Sequence, residues 1–160
     1  MIFINLNEDI SLDEAFEKSL QQIDTLNPQQ LSRIGLRVYS ENKWTIHQII
    51  QHLIDWERIW CYRTIVCVRK EGTIPEGLEQ DIMVSNSNAN ELSIEQLLSE
   101  LRAVRVATRA MFASFNPEIL ETNCKFYKYQ MSALALGFSI IGHQIHHFNV
   151  INERYMPLLK

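Results

Sequence analysis

The chain has 160 residues, 46% of them hydrophobic and 21% charged, enough apolar material for one full core and the length of a single domain over 1–160. Five glycines and four prolines are too few for a turn-rich all-β fold. A net charge of −4 with no basic block disfavours a nucleic-acid partner, because binding phosphate needs a cationic face.

The first helix is expected to open at Ser11, where Glu14 completes a capping box, and Leu12, Phe16, Leu20 and Ile23 form its apolar stripe, ending near Leu26. Asn27-Pro28 starts a short helical turn. The second long helix follows Thr45 as N-cap and runs to about Lys70, with Ile46, Ile49, Leu53, Trp56, Ile59 and Trp60 among its apolar positions. Gly72 to Glu91 is then a loop of about twenty residues, longer than most structureless connections and so a candidate functional segment. It could cover a pocket.

The third helix starts at Ser93, with Gln96 completing a second capping box, and carries Ile94, Leu97, Leu98, Leu101 and Phe115 at helical spacing. Glu100, Arg102, Arg105 and Arg109 read as its solvated face. Asn116-Pro117 ends it. Glu121 to Met131 is read as a connection, and no segment reads as a strand. The fourth helix starts near Ser132 and runs to about Tyr155. Its first half is apolar nearly all round, and Gly137 and Gly142, each costing about 1 kcal/mol against Ala, imply close packing. The whole reads as an all-α four-helix bundle with a long crossover loop between the second and third helices.

The three cysteines, Cys61, Cys67 and Cys124, form neither an even set nor a CxxC, and read as small apolar side chains of a reducing compartment. Met1-Ile2-Phe3-Ile4-Asn5 lacks the basic flank and long apolar run of a signal peptide. The most apolar run, Ala133 to Ile141, is far below the roughly 20 residues that span a bilayer. A cytoplasmic protein with no membrane partner is the expectation.

Chemistry concentrates in the histidines. His143 and His147 are spaced i, i+4, on one face of the fourth helix. His52 lies on a mixed stripe of the second helix with Trp56, Ile59, Asp55 and Arg63. His47 falls roughly 140° away at 100° per residue and reads as exposed. His146 is off the His143/His147 line and reads as an adjunct or as facing a neighbouring subunit. Burying three imidazoles is costly unless each nitrogen finds a partner, and a metal satisfies three at once. From spacing alone, a metal site and a set of hydrogen-bonded core histidines both remain open.

Other motifs are excluded. No Glu follows His143, so the segment is not an HExxH zinc-protease helix, and there is no GxSxG, P-loop or dinucleotide fingerprint. Ser139 reads as packing rather than a nucleophile. Arg63, Glu153 and Arg154 would form an ion-pair network if the second and fourth helices ran in the same direction.

Two segments carry a resemblance. Trp44-Thr45-Ile46-His47-Gln48-Ile49-Ile50-Gln51-His52-Leu53-Ile54-Asp55-Trp56-Glu57-Arg58 resembles the second helix of the DinB/YfiT-like family. Gly142-His143-Gln144-Ile145-His146-His147, followed by Ile151-Asn152-Glu153-Arg154-Tyr155, resembles its last helix. The resemblance implies a four-helix bundle, often a homodimer, holding a divalent metal, usually zinc or nickel. The implied ligands are His52, His143 and His147. It also implies thiol-dependent transferase or related metalloenzyme activity, with a small-molecule thiol or other small substrate. Asp55 is a candidate to orient His52, and Glu57 and Glu153 lie off the ligand faces. The rival expectation is a non-enzymatic dimeric bundle in which the metal is structural.

Overall fold

The four long helices begin where the sequence places their caps. Ser11 before α1 (Leu12–Thr25), Thr45 before α3 (Ile46–Val68) and Ser93 before α5 (Ile94–Ala113) each form a reciprocal capping box with the residue three positions on. Ser132 caps α7 (Ala133–Val150) by accepting from the Ala135 N–H. Short helices fill the connections: α2 (Pro28–Ile34), α4 (Gln80–Ser85) and α6 (Pro117–Leu120). This computed structural model describes residues 10–160, so the reading of Met1 to Asn5 lies outside the described residues.

Helix α3 packs against α5 and α7, and α1 packs against the same two. The bundle is therefore a ring in which α1 and α3 sit on opposite sides. One end of the core is built from Ile23, Leu31, Ile50, Leu97, Ile151 and Tyr155, and the other from Phe16, Trp60, Phe112, Phe126 and Ile140. Gly137 explains itself by contact: a Cβ there would stand 2.9 Å from Leu12 Cδ2 and 3.2 Å from Phe112 Cε1, so α1 can approach α7 closely.

The segment read as a plain connection holds a hairpin. Strand β1 (Asn123–Phe126) pairs antiparallel with β2 (Tyr129–Ser132), Asn123 opposite Ser132 and Phe126 opposite Tyr129. Its signal was the period-two burial of Cys124 and Phe126 between exposed Asn123 and Lys125. The turn Tyr127-Lys128 hid it, since Tyr127 takes φ +48° without the Gly or Asn that usually announces such a turn.

The hairpin packs on α3, and Cys124 there is disulfide-bonded to Cys67, with Cα atoms 5.4 Å apart. The reading of the cysteines as unpaired apolar side chains is thus corrected for these two. They lie 57 residues apart, and only the docking of the hairpin brings them together. Cys61 remains a free thiol.

The long crossover is not structureless. It contains α4 and a 3₁₀ turn at Ala89–Glu91, whose Asn90 Oδ1 accepts a 2.6 Å hydrogen bond from Thr45 Oγ1. The expected Arg63–Glu153–Arg154 network does not form, because α3 and α7 run antiparallel. Trp60 meets His143, whereas Trp44, before α3, accepts a hydrogen bond at its carbonyl from Tyr155 beyond α7. Arg63 and Arg154 stand at opposite ends. Among the described residues, no helix is long and apolar enough to cross a membrane.

Candidate metal centre

The i, i+4 spacing on α7 and the antiparallel packing of α3 bring three imidazoles to one point. His143 Nε2 stands 3.1 Å from His52 Nε2 and 3.1 Å from His147 Nε2. One ligand nitrogen from each of the three lies within 4.8 Å of the others. His52 and His143 are buried and His147 is half-buried.

Indole rings wall the cluster. Trp44 packs at 4.8 Å from His52 and stacks at 6.3 Å over His147, while Trp56 lies 5.2 Å from His52 and Trp60 5.2 Å from His143. Trp44 is fixed by the end of α7. There the helix widens into a π-helical turn, Ile151–Tyr155, and the buried Tyr155 hydroxyl donates to the Trp44 carbonyl.

Desolvation sets the protonation state. Burial pulls His52 down to about 4 and His147 to about 3, the neighbouring imidazoles adding to the shift at His147. Burial, then the surrounding His147, His52, His146 and Arg105, lowers His143 well below its ordinary value. All three are neutral near pH 7, the form that donates a lone pair to a metal.

The residues fit a divalent cation. Imidazole nitrogens on a common metal at ~2.0–2.1 Å stand roughly 3.0–3.4 Å apart, which brackets the two 3.1 Å separations. Among the described residues no carboxylate or thiolate joins the group. Three imidazoles suit zinc or nickel better than magnesium or calcium, which prefer oxygen.

Asp55 does not orient His52; it accepts a 2.9 Å hydrogen bond from Gln51 Nε2, and burial raises its pKa. His47 is buried rather than exposed, at 8%. It shares a second buried stripe with Ile50 and Ile54, visible in the sequence at i+3 and i+7, because α3 is covered on two sides. Its Nδ1 has no hydrogen-bond partner. His146 is half-buried, 5.0 Å from the His147 ring. Ser139 Oγ donates back to the Ala135 carbonyl at 2.8 Å, a packing role.

Arg105 is not on a solvated face. It is buried at 1% and paired with Glu57 at 2%. The rest of that face is as read: Arg58 pairs with Glu100, Arg102 with Asp24, and Arg109 with Asp13 and Glu17. The signal for Arg105 was its place four residues after Leu101 and seven after Leu98, in the apolar stripe itself.

Two cavities flank the cluster. One, of about 340 Å³, is lined by Trp44, Asp81, His146, His147 and Tyr155, and so reaches a triad residue. The other, of about 420 Å³, lies under the hairpin and is separated from His52 and His143 by the rings of Trp56 and Trp60. The crossover segment borders both, through Glu76–Glu79 and Asp81.

The structure resembles YfiT from Bacillus subtilis, a probable metal-dependent hydrolase with an unusual four-helix bundle topology. The two superpose with a TM-score of 0.70 at 16% identity, over 94% of this chain and 82% of that one. This likeness establishes the four-helix bundle fold. No curated protein matches the chain. The model of the DinB superfamily matches residues 11–151, from the cap of α1 to the end of α7 and across all three clustered histidines; the chain belongs to the DinB superfamily.

Proposed function

We propose that this chain is a metal-dependent enzyme, of hydrolase or thiol-dependent transferase type, that holds zinc or nickel on His52, His143 and His147. The observation that carries this reading is the convergence of three neutral imidazoles beside a cavity that reaches His147. YfiT's description as a probable metal-dependent hydrolase supports the same class.

Bound there, the metal supplies a Lewis acid that lowers the pKa of a water or thiol in an open position. The chain's own residues do the rest. Burial keeps the histidine lone pairs from protons, so no proton has to leave them near neutral pH. The indoles of Trp44 and Trp56 exclude bulk water from His52. His146, on the wall of the smaller cavity beside His147, is placed to take a proton from a nucleophile that enters it. A metal that only pinned α3 to α7 would call for a fourth protein ligand and a sealed site; the cavity at His147 counts against that rival.

The test is metal analysis of purified protein with each His→Ala variant. Stoichiometric divalent metal in the wild type and its loss from His52→Ala, His143→Ala and His147→Ala are expected. A metal-free wild type, or full retention in His52→Ala, overturns the reading. Activity of the loaded protein on esters and amides, against thiol-plus-electrophile pairs, then separates the two reaction types. The homodimer belongs to the same proposal, and a monomer in light scattering at working concentration removes it.

A further inference from the structure

The larger cavity contains none of the three histidines. Trp56 and Trp60 of α3 line it on one element, Phe126 and Tyr129 of the hairpin on another, and Ser139 of α7 also borders it. Its volume of about 420 Å³ lies within the roughly 300–1,000 Å³ of small-molecule pockets.

Arg63 gives this aromatic cavity its chemistry. Its side chain lines the pocket but is only 6% exposed. Nη2 donates to the Glu76 carbonyl at 2.9 Å, and the guanidinium lies 5.0 Å from the Phe126 ring centre. Neither contact supplies a negative charge. The ion pairs among the described residues engage Arg58, Arg102, Arg105 and Arg109, not Arg63. Arg105 is equally buried and has Glu57 as counter-ion. A buried cation without one is costly unless a partner arrives from outside, and a planar guanidinium matches a carboxylate through two parallel hydrogen bonds. The exposed Glu76, Glu79 and Lys128 also line the cavity, so that with Arg63 two cations face two carboxylates and no net positive charge is left to favour a dianion.

We infer that this cavity is a subsite for a small organic monocarboxylate with an aromatic or apolar body, anchored by Arg63 and packed between the α3 indoles and the hairpin. The inference stands apart from the metal reading, because Arg63 and the aromatic walls recognise the ligand without the triad. A molecule held there lies one indole ring from His52 and from His143.

The experiment uses the full chain stripped of metal, titrated with phenylacetate and 3-phenylpropionate, their uncharged amides, and phenyl phosphate. Calorimetry measures affinity, and quenching of tryptophan emission reports entry beside Trp56 and Trp60. Saturable binding of at least one carboxylate is expected, weaker by about tenfold or more for its amide and in Arg63→Gln. Should Arg63→Gln fail to fold, Arg63→Lys serves: it keeps the charge, loses the two-pronged geometry, and weakens the carboxylate more than the amide. No saturable binding of either carboxylate, equal binding of acid and amide, or tighter binding of phenyl phosphate than of both acids overturns the assignment.

Discussion

Glu57 and Arg105 close on each other inside the bundle, Arg105 Nη2 at 2.8 Å from Glu57 Oε2 and Nε at 2.9 Å from Oε1, with 2% and 1% of their side chains exposed. The pair joins α3 to α5 one turn below His52, and Arg105 is among the charges that hold His143 neutral. Removing one partner strands the other in a medium that cannot solvate it. Glu57→Ala or Arg105→Ala is expected to cost about 3–5 kcal/mol in urea unfolding. The double replacement Glu57→Leu with Arg105→Met is expected to cost less than either single change, because Arg105 Nη1 already lacks a partner and both charges leave together. Additive losses in the double variant would contradict this account.

The Cys67–Cys124 bridge closes a loop of 57 residues and ties the hairpin wall of the larger cavity to α3. Loop-closure entropy sets its contribution at up to about 4 kcal/mol. Thermal unfolding with and without a phosphine reductant should show a lower midpoint in the reduced protein, matched by a Cys67→Ala/Cys124→Ala variant. Coincident curves in the two redox states would mean that packing alone holds the hairpin.

Tyr155, the last residue of the π-helical turn that follows α7, donates its hydroxyl to the Trp44 carbonyl. Tyr155→Phe removes the donor and leaves a carbonyl beside the site without its partner. The expected loss of stability is about 1–3 kcal/mol. Because Trp44 covers His52 and His147, metal affinity should fall while stoichiometry stays. An unchanged affinity would detach the Trp44 wall from the proposed metal site.

The four long helices were legible because their caps and apolar periods are local signals: Ser11, Thr45 and Ser93 mark their own starts. The triad was legible in part, since His143 and His147 share a face by spacing, whereas the meeting with His52 came only through resemblance and is seen in the packing. Arg105 is hidden by its charge, since its phase places it in the apolar stripe of α5, whereas His47 is hidden because its phase away from His52 faces a second buried side of α3. The hairpin is local but lacks a turn signal at Tyr127, whereas the disulfide and the Arg63 cavity join residues such as Cys67 and Cys124, far apart in the chain, and no local pattern encodes that contact.

The metal-free protein should lose stability in mild acid. Burial is the first cause of the depressed pKa of His47, His52, His143 and His147, with His52 at about 4 and His147 at about 3 against an ordinary 6.5. Between those values and 6.5 the unfolded chain binds protons that the folded chain refuses. Unfolding then takes up protons, so stability is full above about pH 6.5 and falls as pH drops towards 4, each such histidine adding up to about 1.4 kcal/mol per pH unit. Urea midpoints measured in chelator between about pH 7 and 5 should decline steadily, and His52→Gln should decline less steeply because one refused proton is gone. A midpoint that stays flat or rises over that window would mean that the folded protein accepts the protons, and that the imidazoles are not held neutral by burial.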